Sequence, residues 1–226
     1  MRETALAGEI RASGGASEAA RAFGASHSAA AESQVLVDDS DAARAQEYAL
    51  LSALLMRAPD ASLLRKLAML RGDPSPLGLA HAALADAAGR SDADRVGREF
   101  FDLFIGLGRG ELLPYGSYYL TGFLHERPLA RLRADLARLG IERQGGHVEP
   151  EDHVAILCEI MAGLAGGSFE APPGADREFF QKHMASWIGQ FFADLEKAQS
   201  ADFYRRIGAL GQVFVGIEEE AFALPA

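Results

Sequence analysis

Residues 99–120 read EFFDLFIGLGRGELLPYGSYYL, and the stretch changes character twice. Phe100, Leu103 and Phe104 recur at helical spacing and present one aromatic face. Gly106, Gly108 and Gly110 then end the helix, and the segment through Pro114, Tyr115, Gly116, Ser117, Tyr118 and Tyr119 turns three hydroxyl-bearing rings back towards it. Such a surface can hold a peptide, although aromatics that only fill a core and glycines that only turn the chain produce the same pattern.

Upstream, the chain from Met1 to about Asp39 is rich in Ala, Gly and Ser with scattered apolar residues. It cannot bury enough surface to offset the entropy of ordering, so residues 1–39 are expected to be a flexible tail, with a short helix around Glu3 to Ala12 allowed. Ser40 or Asp41 can cap a first helix carrying Tyr48, Leu51 and Leu55, and Asp60 can cap a second carrying Leu63, Leu67 and Leu70. Gly72-Asp73-Pro74-Ser75-Pro76 forces a turn before an Ala-rich helix with His81. Ser91 begins the helix that carries Val96 and the aromatic face.

Downstream, Leu129, Leu132, Leu136 and Leu139 form a stripe that leaves Arg131, Arg133 and Arg138 in solvent, and Gly140 suits a left-handed cap. Residues 142–149 are polar, contain Gly145-Gly146, and read as a hinge. Pro150 suits the first position of the next helix, where Glu151 and Asp152 favour the dipole. A cationic His153 there is unfavourable, so its ring should be neutral or paired to a carboxylate. Val154, Leu157, Met161 and Leu164 bury this helix, and Cys158 reads as a small buried residue rather than a nucleophile. Asp176 is expected to cap a helix on which Phe180, Met184, Trp187, Phe191 and Leu195 share a face with His183, a hydrogen-bonded core histidine. Ser200 is expected to cap the last helix, with Gly208, Gly211 and Gly216 permitting close packing or bending. Glu218-Glu219-Glu220 oppose its dipole and form a solvated end or a contact for a basic partner.

The chain has 226 residues, 49% hydrophobic and 24% charged, enough for one substantial core. No segment alternates as a sheet does, so the fold class is all-α: one domain over 40–226, about nine to eleven helices in two lobes. With 32 acidic against 22 basic residues and a net charge of −10, nucleic acid is excluded as a partner. No apolar run reaches the ~20 residues of a membrane span, and no apolar signal opens the chain, which makes a cytoplasmic protein the expectation. No phosphate loop, coupled nucleophile or complete metal set is visible, so no catalytic residues, metal or cofactor are assigned. His153 with Glu159 falls short of a metal site. A metal-dependent helical hydrolase would need further ligands, and a helical scaffold or adaptor would need repeats that are absent.

Four blocks stand in order: Glu99-Phe100-Phe101-Asp102-Leu103-Phe104-Ile105-Gly106; Pro114-Tyr115-Gly116-Ser117-Tyr118-Tyr119; Glu149-Pro150-Glu151-Asp152-His153; and His183 with Trp187, Phe191-Phe192-Ala193-Asp194-Leu195 and Phe203-Tyr204. Together they resemble the TorD/DmsD family of molybdoenzyme maturation chaperones, from about Asp41 onward. The resemblance implies a TorD-like helical fold and a cytoplasmic chaperone without a cofactor of its own. Its client would be an immature molybdenum-cofactor oxidoreductase, of DMSO/TMAO reductase or formate dehydrogenase type, bound directly or through its twin-arginine leader peptide. The chaperone would assist cofactor insertion and prevent premature export. The resemblance sets Asp152 and His153, with Glu149 nearby, at the leader site, beside Phe100, Leu103, Phe104, Pro114, Tyr115, Ser117, Tyr118 and Tyr119. A monomer is expected, and the Gly145-Gly146 hinge allows a minor domain-swapped dimer.

Overall fold

Single side chains set three of the helix starts. Asp60, Ser75 and Asp92 each accept an N–H from three residues on: Leu63 at 2.7 Å, Gly78 at 3.0 Å and Arg95 at 2.8 Å. Each satisfies a donor that a helix leaves open in its first turn. They open α2 (Ala61–Leu67), α3 (Pro76–Gly89) and α4 (Ala93–Phe100), which follow α1 (Asp39–Met56). Next come α5 (Gly116–Thr121), α6 (Arg127–Arg138) and α7 (Val154–Ala165). The chain closes with α8 (Ala175–His183), α9 (Ile188–Lys197) and α10 (Phe203–Ala223). This computed structural model describes residues 10–12, 39–143 and 149–224. Among them the architecture is all-α apart from two three-residue strands, β1 (Ile10–Ala12) and β2 (Ile141–Arg143), paired antiparallel. Strands this short carry no alternation to read, and residues 10–12 are extended where a flexible tail is expected and the end of a short helix allowed. The rest of the expected tail and the hinge glycines, Gly145 and Gly146, lie outside the described residues.

The apolar side chains form one continuous cluster, from Tyr48 and Leu51 on α1 to Phe191 and Phe192 on α9 and Leu210 and Phe214 on α10. Helix α1 lies along α7, and α10 packs on α9 and α3, so elements on either side of residues 142–149 share this core. The α9–α10 contact is close because of glycine. A Cβ at Gly208 would fall on the backbone of Glu196 and one at Gly211 on the ring of Phe192, whereas Gly216 faces open space.

Several expected details are replaced by others. Phe180, Met184, Trp187, Phe191 and Leu195 are all buried, but not on one helix: Phe180 lies on α8, Phe191 and Leu195 on α9, and Met184 and Trp187 in the segment 184–187 between them. Asp176 caps nothing. Gly174 precedes α8, and Asp176 instead accepts from Arg44 at 2.9 Å. Glu218 is fully buried rather than solvated: Arg44 grips both its oxygens at 2.7 and 2.9 Å, and the Tyr48 hydroxyl donates to it at 2.9 Å. Burial opposes the charge on Arg44, but Glu218, Asp41 and Asp176 outweigh it and hold the guanidinium charged. Ser200 is not the cap of α10. The buried carboxylate of Glu99 on α4 accepts the N–H groups of Asp202, Phe203 and Tyr204 at 2.7, 3.1 and 2.7 Å, supplying the first turn of α10 from across the molecule.

Candidate functional site

Helix α4 does not stop at Phe100. It continues as one π-helical turn, Phe101–Ile105, which ends at Gly106 with φ 61°. A side chain there would run into the carbonyl of Arg109, so glycine is required for the chain to fold back. The return brings Pro114–Gly116 alongside Asp152–Val154. The Val154 N–H donates to the Pro114 carbonyl at 2.8 Å and the Gly116 N–H to the Asp152 carbonyl at 2.9 Å. Tyr115 and His153 are thereby set opposite each other, their rings edge-on at 5.1 Å. The segment from Tyr118 on is not an open turn. Gly116–Thr121 is a short helix, started from outside by Asp152, whose carboxylate accepts the Ser117 N–H at 2.7 Å.

Asp152 and His153 therefore differ from their expected places. Pro150 does not open α7, and Asp152 is no dipole partner in its first turn. The helix begins at Val154, and His153 is the residue before it, its Nδ1 accepting the Ala155 N–H at 3.1 Å. An accepting Nδ1 carries no proton, and burial pushes the imidazole down to about 4 against the opposing pull of Glu149 and Asp152. The ring is neutral at physiological pH. The Tyr115 hydroxyl donates to Glu149 at 2.5 Å, and its pKa is raised by burial, then by Glu149 and Asp152.

Asp152 is 3% exposed, and its second oxygen, Oδ1, meets no protein donor. Among the described residues the buried side-chain polar atoms without a partner are this oxygen, the Ser117 hydroxyl and Glu47 Oε1. Two of these sit together in this site. Such atoms are costly to bury, and they mark a place where a ligand or solvent completes the bonding.

Asp152 lines an open cleft of about 670 Å³ between α5, α6 and the end of α8. Leu120, Pro128 and Leu132 form apolar wall, Arg131 and Lys182 bring positive charge, and Asp135 on one wall bonds His183 Nε2 at 2.8 Å. Burial pushes the pKa of His183 down, against the pull of Asp135. Leu120 (41% exposed) at the cleft and Phe123 (68%) just beyond α5 leave apolar surface open.

The predicted residues thus divide. Pro114, Tyr115, Ser117, Glu149, Asp152 and His153 form one cluster. Tyr118 and Tyr119 flank it: Tyr118 accepts from Arg109 at 2.9 Å, while Tyr119 donates to Asp194 at 3.1 Å and stacks obliquely on Trp187 at 5.5 Å. Phe100, Leu103 and Phe104 are not brought to the cleft. Leu103 is fully buried, and Phe100 and Phe104 pack on Tyr204 at 5.8 and 5.5 Å. Asp135, Arg131, Lys182 and Ser186 were missed. Asp135 left a trace in the sequence, as a carboxylate beside Leu132 and Leu136 on a core helix. The others read as ordinary surface. Among the described residues no group of three His, Cys, Asp or Glu is placed to hold a metal ion, and the Cys158 thiol is fully buried with its pKa pushed up by that burial.

The described residues form a helical scaffold with an open cleft lined by Asp152, Asp135 and His183. Residues 71–193 match the family described as the nitrate reductase delta subunit. Chaperone protein TorD of Aliivibrio fischeri is 27% identical over 146 residues, 60% of this chain and 68% of that protein. TorD of Shewanella loihica is 25% identical over 202 residues, 79% and 92% of the two chains. Haemophilus influenzae has a protein named Probable Tat proofreading chaperone DmsD, 32% identical over 110 residues, 48% of this chain and 52% of that one. The crystal structure of a candidate redox enzyme maturation protein from Archaeoglobus fulgidus shares the fold, with a TM-score of 0.51 at 17% identity, covering 76% of this chain and 93% of that one. The chain belongs to the TorD/DmsD family of molybdoenzyme maturation chaperones.

Proposed function

We propose that the protein binds the twin-arginine leader of an immature molybdoenzyme in the cleft between α5, α6 and α8, and holds the apoenzyme until its cofactor is inserted. The observation that carries this reading is Asp152, which lines the cleft and has a buried Oδ1 without a protein partner, with open apolar surface at Leu120 and Phe123. A leader joins guanidinium groups to an apolar helix. One guanidinium donates to Oδ1, and the apolar stretch covers the exposed rim. Arg131 and Lys182 in the same cleft restrict where a second cation can sit, so one arginine enters and the other stays outside. The name of the Haemophilus relative, a proofreading chaperone, supports the same assignment.

The test is a titration of a labelled synthetic leader carrying its arginine pair against the wild-type chain, Asp152→Asn, His153→Asn and Tyr115→Phe, with melting temperatures recorded in parallel. Loss of a charge-assisted bond predicts an affinity reduced by about 1.5–3 kcal/mol in Asp152→Asn. A leader with lysines in place of arginines should also bind more weakly, because only the planar fork donates two parallel bonds. Full affinity in all three stable variants places the client elsewhere.

A further inference from the structure

Strand β2 is fixed from one side only. Ile141 is 4% exposed, inserted at a notch of about 220 Å³ lined by Leu136, Ile156 and Ile160 from α6 and α7. The side chain anchors the strand to the helical body, while the backbone of Ile141–Arg143 presents an edge whose N–H and C=O groups need partners. In the structure that edge is taken by β1, in the register Ile10 to Arg143, Arg11 to Glu142 and Ala12 to Ile141. The register sets a basic residue directly opposite an acidic one, the favourable cross-strand arrangement. From these observations we propose that β2 and its notch are a docking site for the chain's own N-terminal arm, which binds in cis by strand addition and closes the edge to any other extended polypeptide.

Reach does not limit the contact. The 26 residues numbered 13–38 can extend to roughly 90 Å at ~3.3–3.6 Å per residue. Because both strands belong to one chain, pairing within the chain is favoured over pairing with a second copy in dilute solution. Two three-residue strands make a marginal pair, so the docked arm exchanges on and off rather than staying fixed.

The test is a pair of cysteines in the full chain, Arg11→Cys with Glu142→Cys. Glu142 is exposed, directly opposed residues in an antiparallel pair fit disulfide geometry, and the native Cys158 is fully buried and will not compete. Under mild oxidation the pair should close within one chain, and at least roughly tenfold faster than Arg11→Cys with the exposed but off-register Glu126→Cys, which reports random encounter of the same tether. Equal rates for the two pairs overturn the register and with it the docking site. A disulfide-linked dimer in place of the intrachain product overturns the cis assignment in favour of a second copy. A second measurement is amide exchange at 141–143, which should rise roughly tenfold in the full chain carrying Ile10→Pro and Ala12→Pro, and unchanged exchange also refutes the proposal.

Discussion

Asp152 holds the Ser117 N–H at 2.7 Å with one carboxylate oxygen and buries the other without a protein partner. The first oxygen serves the fold and the second does not, so the two contributions separate by substitution. Asp152→Asn keeps an acceptor for Ser117 while removing the buried charge. It should leave the melting temperature unchanged or slightly raised while weakening leader binding and flattening its salt dependence. Asp152→Ala strands the Ser117 N–H and should lower stability by about 1–3 kcal/mol in urea titration. If the asparagine variant is as unstable as the alanine one, the free oxygen is not a site feature.

Glu99 accepts three N–H groups at the start of α10. Glu99→Ala should therefore cost about 2–4 kcal/mol, more than an ordinary helix cap, because the bonds are charge-assisted and buried. Glu99→Gln retains one side of the carboxylate's role and should fall between. Urea midpoints for the two variants decide it, and equal losses would mean that Glu99 acts through packing alone.

Arg44 and Glu218 form a two-pronged pair in which Glu218 is fully buried. Removing the cation alone, as Arg44→Met, leaves an uncompensated interior charge and should cost about 3–5 kcal/mol. The double variant Arg44→Met with Glu218→Met should regain most of that loss. A thermodynamic cycle over the four proteins measures the coupling, and simple additivity contradicts the pairing.

His153 is neutral in the fold, its pKa pushed down to about 4 from an ordinary 6.5. Between these values the unfolded chain takes up a proton and the folded chain does not, so this contribution is complete above about pH 6.5 and lost as pH falls towards 4. Its ceiling is about 3 kcal/mol. His81 has the opposite sign, because bonding to Glu47 raises its pKa; that contribution is present at low pH and lost as pH rises through the folded value. His153→Asn keeps an acceptor for the Ala155 N–H and leaves His81 in place, so the difference between wild type and variant isolates His153. Urea midpoints should show a shallower dependence between about pH 4 and 6.5 in the variant, and an identical slope would falsify the neutral assignment.

Two glycines of α10 make opposite predictions. Gly211→Ala drives a methyl group into the Phe192 ring and should destabilise by about 1–3 kcal/mol. Gly216→Ala meets nothing within 4 Å and should stabilise by roughly 0.5–1 kcal/mol. Thermal unfolding of the two variants distinguishes them, and a shift in the same direction contradicts the helix spacing.

Features that depend on near neighbours in the chain could be read from the sequence. Asp60 caps its helix as anticipated, and Leu129, Leu132 and Leu136 bury the stripe that their spacing indicates, because both effects act within a turn or two. What could not be read depends on contacts between distant segments. Ser200 has the right chemistry to cap α10, yet Glu99 does so from 103 to 105 positions away. Glu218 looked like one of three solvated acids because nothing nearby in the sequence announces Arg44.

The candidate site shows the same division. Tyr115, Asp152 and His153 could be picked out as unusual residues, but not that two short segments run side by side and make Asp152 the starting partner of α5. His183 is legible as a hydrogen-bonded core histidine, but its partner, Asp135 at 2.8 Å, appears only once α6 and α8 are packed.

The separation of Arg44 from Glu218, 174 positions, also sets the order of events during synthesis. A ribosome emits α1 long before α10, so Arg44 and Tyr48 wait without Glu218, and Glu99 waits without the N–H groups it serves. The nascent chain can build local helices but cannot complete its interior. Completion of the interior therefore waits until α10 has emerged and can join the first helix.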